Sequence, residues 1–289
     1  MKKSISKIIS RPLNYNMVGD GFRVFNYLPS AVPNRELSSP FLMLDFNPAF
    51  DFGASSTQRG VDVHPHKGFE TVTIAYKGSV AHHDSTGNTG VIHPGDVQWM
   101  TAGAGILHKE YHEKTFAKTG GEFEMVQLWV NLPAKNKLSS PGYQALESDK
   151  ITMEKIPNDG GYVKIIAGNY NGTAGSAKTF TDINLFDIRM NPNGELNSSI
   201  PASHNTMLLV ISGKAEVNGK LVDQHQMALF NNEGEELHIK ALSESIILLM
   251  SGEPIKEPIA QYGPFVMNTQ AELQTAFKEF QEGKFGVLN

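Results

Sequence analysis

His64-Pro65-His66 leads into Phe69-Glu70-Thr71-Val72-Thr73-Ile74-Ala75-Tyr76, a run dominated by β-branched and aromatic residues. Such a composition marks a strand. In a strand, residues two apart point to the same face, so His64 and His66 would present two imidazoles to one side. A second word, His108-Lys109-Glu110, repeats the spacing with an imidazole and a carboxylate. The interval between the words suits a strand, a hairpin and a return strand, and Gly103 and Gly105 let the backbone turn tightly beside the second word. Two neighbouring strands carrying these pairs would aim four ligands at one point. Three imidazoles and one carboxylate suit a divalent transition metal rather than calcium or magnesium, which take all-oxygen shells.

The rest of the chain is β-rich by the same reading. Its 27 glycines and 15 prolines break the apolar runs about every ten residues, the rhythm of a sandwich or barrel. Phe123–Leu132 alternates, with Val126, Leu128, Val130 and Leu132 on one parity and Phe123, Met125 and Trp129 on the other. Ile246–Met250 is wholly apolar and reads as a buried strand. Turns are expected at Ser85-Thr86-Gly87-Asn88, Pro94-Gly95-Asp96, Gly160-Gly161 and Asn218-Gly219. One segment, Thr269 to Glu282, reads as a helix. Leu273, Ala276, Phe277 and Phe280 recur at helical spacing, Thr269 and Glu272 form a capping box, and Gly283 is the stop.

A faint internal repeat suggests two similar β domains. Ala75-Tyr76-Lys77-Gly78-Ser79-Val80 resembles Val210-Ile211-Ser212-Gly213-Lys214-Ala215, an offset of 135, and Gly90 and Gly219 recur 129 apart. The join is expected near residues 133–150, where prolines and polar residues cluster. The domains would then be residues 1–140 and 150–289, the second including the C-terminal helix. Carried along the repeat, His64 and His66 fall on Ser199 and Pro201, and His108 and Glu110 on Leu237 and Ile239. His238 is one residue out of phase and should face the other side of its strand. One metal is therefore expected, in the first domain.

Several motifs together resemble the pirin family of the cupin superfamily. They are the stretch from His64 to Val72, then His93-Pro94-Gly95-Asp96-Val97-Gln98-Trp99-Met100-Thr101-Ala102-Gly103, Ile106-Leu107-His108-Lys109-Glu110, Gln127-Leu128-Trp129-Val130-Asn131-Leu132, and Gln261-Tyr262-Gly263-Pro264-Phe265-Val266-Met267-Asn268-Thr269. The resemblance covers nearly the whole chain. It implies an all-β fold of two tandem cupin (jelly-roll) barrels, with Fe(II) in the first and no metal in the second. It also implies opening of flavonols such as quercetin by dioxygen, or, as the alternative, an iron-binding regulator of the transcriptional co-regulator type that acts through a protein partner.

The family takes its carboxylate ligand after the last histidine, here Glu110. The wider cupin pattern takes the glutamate after His-x-His, here Glu70. On a straight strand Glu70 would lie about 13 Å beyond His66 and could reach the metal only if Lys67-Gly68 bends. Glu110 needs no bend and is favoured, both as ligand and as the base that accepts the flavonol proton. Asp45 is a candidate to orient a ligand histidine. His82, His83 and His112 read as solvated or hydrogen-bonded, and the Lys278-Glu279 helix face as solvated surface.

Bulk properties exclude other classes. A net charge of −5 argues against a general nucleic-acid binder. No stretch approaches the ~20 apolar residues of a membrane span, and Met1–Ile9 lacks the continuous apolar core of a signal peptide. The chain has no cysteine, so disulfides, thiolate metal sites and cysteine nucleophiles are absent. A cytoplasmic monomer is expected.

Overall fold

A computed structural model describes residues 1–288. In chain order the strands are β1 (Ile5–Ile9), β2 (Asn16–Val18), β3 (Phe22–Leu28), β4 (Phe41–Phe52), β5 (Gly60–His66), β6 (Phe69–Lys77), β7 (Val80–Asp84), β8 (Thr89–Ile92), β9 (Val97–Thr101), β10 (Ile106–His112), β11 (Gly121–Asn131) and β12 (Gly142–Leu146). Later strands are given by their residues. The expected turns lie between strands, except that Gly161 already opens the strand Gly161–Ala167. Asn218 and Gly219 both adopt positive φ, 47° and 84°, at the two-residue turn between Lys214–Val217 and Lys220–Asp223. That is the conformation a tight hairpin requires and Asn-Gly supplies.

The chain forms two compact units. In one, a seven-stranded antiparallel sheet runs in the order β12-β9-β6-β11-β4-β3-β2, accompanied by a four-stranded sheet β5-β10-β7-β8. The other repeats the plan. Its seven-stranded sheet runs β1, Met227–Phe230, Asn205–Ser212, Ser245–Gly252, Ile183–Met190, Gly161–Ala167, Met153–Ile156, and its four-stranded sheet contains Glu195–Ser199 and Glu236–Ala241. This is the paired cupin barrel architecture. Among the described residues no helix is long and apolar enough to cross a membrane.

The units are not contiguous in sequence. Met1–Leu13 and Ala31–Pro40 fall with Asp149–Pro254, while the chain from Ile255 onward falls with Asn14–Ser30 and Phe41–Ser148. The single division expected near residues 133–150 is thus modified at both ends. The reason is strand and corner pairing: β1 completes the edge of the second barrel against Met227–Phe230, and the C-terminal segment hydrogen-bonds to the corner after β5. A change of composition along the chain cannot reveal either.

The C-terminal helix, Gln270–Gln281, has Thr269 as N-cap with the capping box to Glu272 formed in both directions. Its Leu273 and Ala276 pack with Phe265, Met267 and Phe285. One further short helix, Lys114–Thr119, was not apparent in the sequence. Its cap is Glu113, whose carboxylate accepts from the backbone N–H groups of Thr115 and Phe116.

Candidate metal centre

β10 alternates, with His108, Glu110 and His112 buried on one face and Lys109 and Tyr111 more exposed on the other. On β5, His64 lies directly opposite His108, and His66 opposite Ile106. The register slips between His108 and Glu110, so that Glu110 stands opposite Val61. The result brings three imidazoles together. One ring nitrogen from each of His64, His66 and His108 lies within 4.8 Å of the other two. Ring centroids are 4.2 Å apart for His64–His108, 4.7 Å for His66–His108 and 4.9 Å for His64–His66.

The state of these rings fits metal ligation. His66 and His108 are 4% and 0% exposed. Burial, with the neighbouring imidazoles adding to it, holds both pKa values well below the usual histidine value, so both rings are neutral at physiological pH. Neutral imidazole is the form that binds a metal. Nδ1 of His66 and both nitrogens of His108 are buried without a hydrogen-bond partner, a costly arrangement unless something else occupies their lone pairs. His64 Nδ1 donates to the carbonyl of Asp62 at 2.8 Å, which fixes the tautomer and leaves Nε2 for a ligand. Asp45 does not orient a histidine. It accepts from Asn26 Nδ2 at 2.7 Å, in a different layer of the barrel.

Glu110 is 5% exposed and shares the inward face of β10 with His108. Its carboxylate is not one of the atoms in the three-nitrogen cluster. Gln127 Nε2 donates to it at 3.1 Å, and Thr73 Oγ1 at 3.5 Å. Burial raises its pKa, against the opposing effects of His64, Gln127 and Thr73. Gln127 and Thr73 belong to a row that crosses the large sheet in register: Gln98, Thr73, Gln127, Asp45, Asn26. Residues paired directly across strands share a face, so this polar row faces the Glu110 layer. One layer further, His112 is packed among Phe22, Phe52, Phe116 and Phe123, and its Nε2 donates to the Gly21 carbonyl.

The chain does bend at Lys67-Gly68, where Gly68 has φ 86°. Even so, Glu70 does not join the cluster. Thr73 faces Glu110, and Glu70, three residues earlier on β6, lies on the opposite face. Its carboxylate accepts from Thr101 at 2.7 Å, and burial pushes its pKa up to about 7. His82 is closer to the site than a solvated residue would be. It pairs with Glu110 across β7 and β10, stacks on Tyr143, and is held by burial at a pKa of about 4. His83 stacks on Tyr111. Above the cluster, His66 meets Trp129 at 5.4 Å, and Trp129 lies against Phe69 at 4.3 Å.

In the second barrel, Leu237 and Ile239 are 1% and 0% exposed within the apolar core. Leu237 pairs with Ser198, the position that His64 holds opposite His108, so the strand register moves the equivalence one residue from the expected Ser199. His238 lies on the outer side, 3.7 Å from Glu195.

Comparison with known proteins agrees with this architecture. Residues 21–130 match the family model described as pirin, and residues 185–286 the pirin C-terminal cupin domain. A pirin-like protein of Caulobacter vibrioides is 41% identical, covering 92% of this chain and 94% of its own. Pirin-1 of Arabidopsis thaliana is 36% identical, covering 88% and 85%. A crystal structure of quercetin 2,3-dioxygenase from Acinetobacter baumannii superposes with a TM-score of 0.94 at 41% identity, covering 100% of both chains.

Proposed function

Because this chain belongs to the pirin family, we propose that it is a metal-dependent dioxygenase that opens the ring of a flavonol such as quercetin. The ligands are His64, His66, His108 and Glu110, and the metal is iron. The observation that carries the reading is the cluster of three imidazoles with buried, unpartnered nitrogens, beside a buried carboxylate on the same strand face. The likeness to a structure of that activity supports the substrate class.

Bound Fe(II) would supply redox chemistry and lower the pKa of a coordinated hydroxyl. The chain's own residues do the rest. His64 is aimed by the Asp62 carbonyl. His66 and His108 are kept neutral by burial. Glu110 accepts the proton of the flavonol hydroxyl. Its burial makes it a stronger base than a solvated carboxylate, and Gln127 Nε2 holds the carboxylate in place. Trp129 is half-buried beside His66 and offers an aromatic face to a planar substrate.

The test is steady-state oxygen uptake with quercetin on protein loaded anaerobically with Fe(II). Turnover that tracks iron content is expected. Tight iron binding without uptake on any flavonol would replace this reading with the regulatory one.

A further inference from the structure

Lys67, directly after His66, carries a side chain only 4% exposed. Its ammonium donates to the Ala104 carbonyl, pairs with Glu279 of the C-terminal helix at 3.1 Å, and lies 5.4 Å from the Phe285 ring centre. A methylene stem alone would fill such an apolar space at less cost than a charge, so the ammonium has a role beyond filling volume. The helix face that reads as solvated in the sequence therefore holds the anion for a buried cation.

All four backbone polar groups of the Lys67-Gly68 corner are bonded. Lys67 N–H donates to Pro264 O at 3.2 Å, and Lys67 O accepts from Val266 N–H at 3.0 Å. Gly68 N–H donates to Gly103 O at 2.8 Å, and Gly68 O accepts from the buried Lys137 ammonium at 2.9 Å. Lys137 also donates to Val266 O at 3.0 Å. A Cβ at Gly68 would stand 2.0 Å from that same Val266 oxygen. The last link is at Phe285, whose carbonyl accepts from Ser85 Oγ, while Ser85 Oγ accepts from Leu107 N–H at 3.1 Å. The C-terminal segment thus grips the residue after His66 and reaches the residue before His108.

We propose that Lys67 and Glu279 are positioning residues for His66, so that docking of the C-terminal helix sets the affinity of the histidine cluster for its metal. This deepens the metal reading above and rests on it. By linkage, metal binding must stabilise helix docking by the same factor.

The experiment measures Fe(II) and Co(II) affinity by chelator competition on the full chain, together with the visible spectrum of the Co(II) form, which reports ligand geometry. Lys67→Met keeps the apolar stem. It should bind either metal 10–100-fold more weakly, the range typical for residues that orient ligands, and should shift the Co(II) spectrum. Glu279→Leu, at a position 28% exposed and tolerant of change, should do the same if Lys67→Met fails to fold. Glu279→Gln retains an acceptor for Lys67 and should recover most of the affinity. In the wild type, hydrogen exchange in Gln270–Gln281 should slow when Co(II) is added. A wild type that binds the metals, with variants that match it in affinity and spectrum, overturns this proposal alone. So does exchange that ignores the metal. A wild type that binds neither metal overturns the metal reading as well.

Discussion

The two barrels share a sheet plan and differ in what crosses it. In the first, the central row of the large sheet is Gln98, Thr73, Gln127, Asp45 and Asn26. In the second, the corresponding row is Ala228, Leu208, Leu249, Phe186 and Ile165, all within one apolar core. The facing strand repeats the contrast, His108 and Glu110 against Leu237 and Ile239. A barrel filled with hydrocarbon gains stability at every position. A barrel that keeps a polar row and unpartnered imidazole nitrogens gives up part of that gain. The same fold is thus built once around polar side chains and once around hydrocarbon.

Breaking the first barrel's side of the contrast should have the largest effect. His108→Ala removes one of three clustered nitrogens, and metal content and oxygen uptake should vanish together, because fewer ligands remain to offset deprotonation and desolvation. Metal analysis alongside uptake checks this, and retention of stoichiometric metal would separate His108 from the site. Glu110→Gln is the finer cut. At equal iron occupancy turnover should fall ~10²–10⁴-fold if Glu110 is the base, and single-turnover kinetics on reconstituted protein would show it. Full turnover would reduce Glu110 to a ligand.

The second barrel can be made to resemble the first. Leu249→Gln plants the Gln127 side chain in a core without a carboxylate to receive it. It should cost about 3 kcal/mol or more through lost burial and an unsatisfied amide, read as a lower denaturant midpoint with metal binding intact. The smallest effect concerns pH. Glu70 occupies the position that Asn205 holds in the repeat, and its folded pKa of about 7 exceeds its unfolded value near 4.5. Its contribution to stability is therefore complete below about pH 4.5 and is lost as pH rises through about 7, amounting to a few kcal/mol at most. Glu70→Gln should flatten that part of the stability profile of metal-free protein. An unchanged slope would show that Glu70 is not its source.

Local signals were legible in the sequence, and non-local ones were not. The His-x-His and His-x-Glu spacings, the Asn-Gly turn and the capping box each lie within a few residues, so strand or helix periodicity alone exposes them. The row from Gln98 to Asn26 was invisible, since its members come from five strands and each reads as an ordinary strand residue. The Lys278-Glu279 helix face reads as solvated surface, because nothing local shows that it meets the buried Lys67 roughly two hundred residues earlier in the chain. The bend at Lys67-Gly68, which could have brought Glu70 to the histidines, is present, yet Glu70 stands on the opposite face of β6 from Thr73.

The pairing of chain ends with distant barrels has a consequence for synthesis. β1 is made first but has no edge to join until Met227–Phe230 emerges, a wait of about 10–40 s at ribosomal speeds of about 5–20 residues per second. The ligand strands β5 and β10 are complete early, yet the brace behind His66 arrives only with Pro264, Val266 and Glu279. The first barrel lacks its brace on a nascent chain that stops short of Gln270–Gln281, whereas every strand of the second is present by Gly252. Until those partners emerge, an unpaired β1 and an unbacked histidine strand stand open to the wrong neighbours.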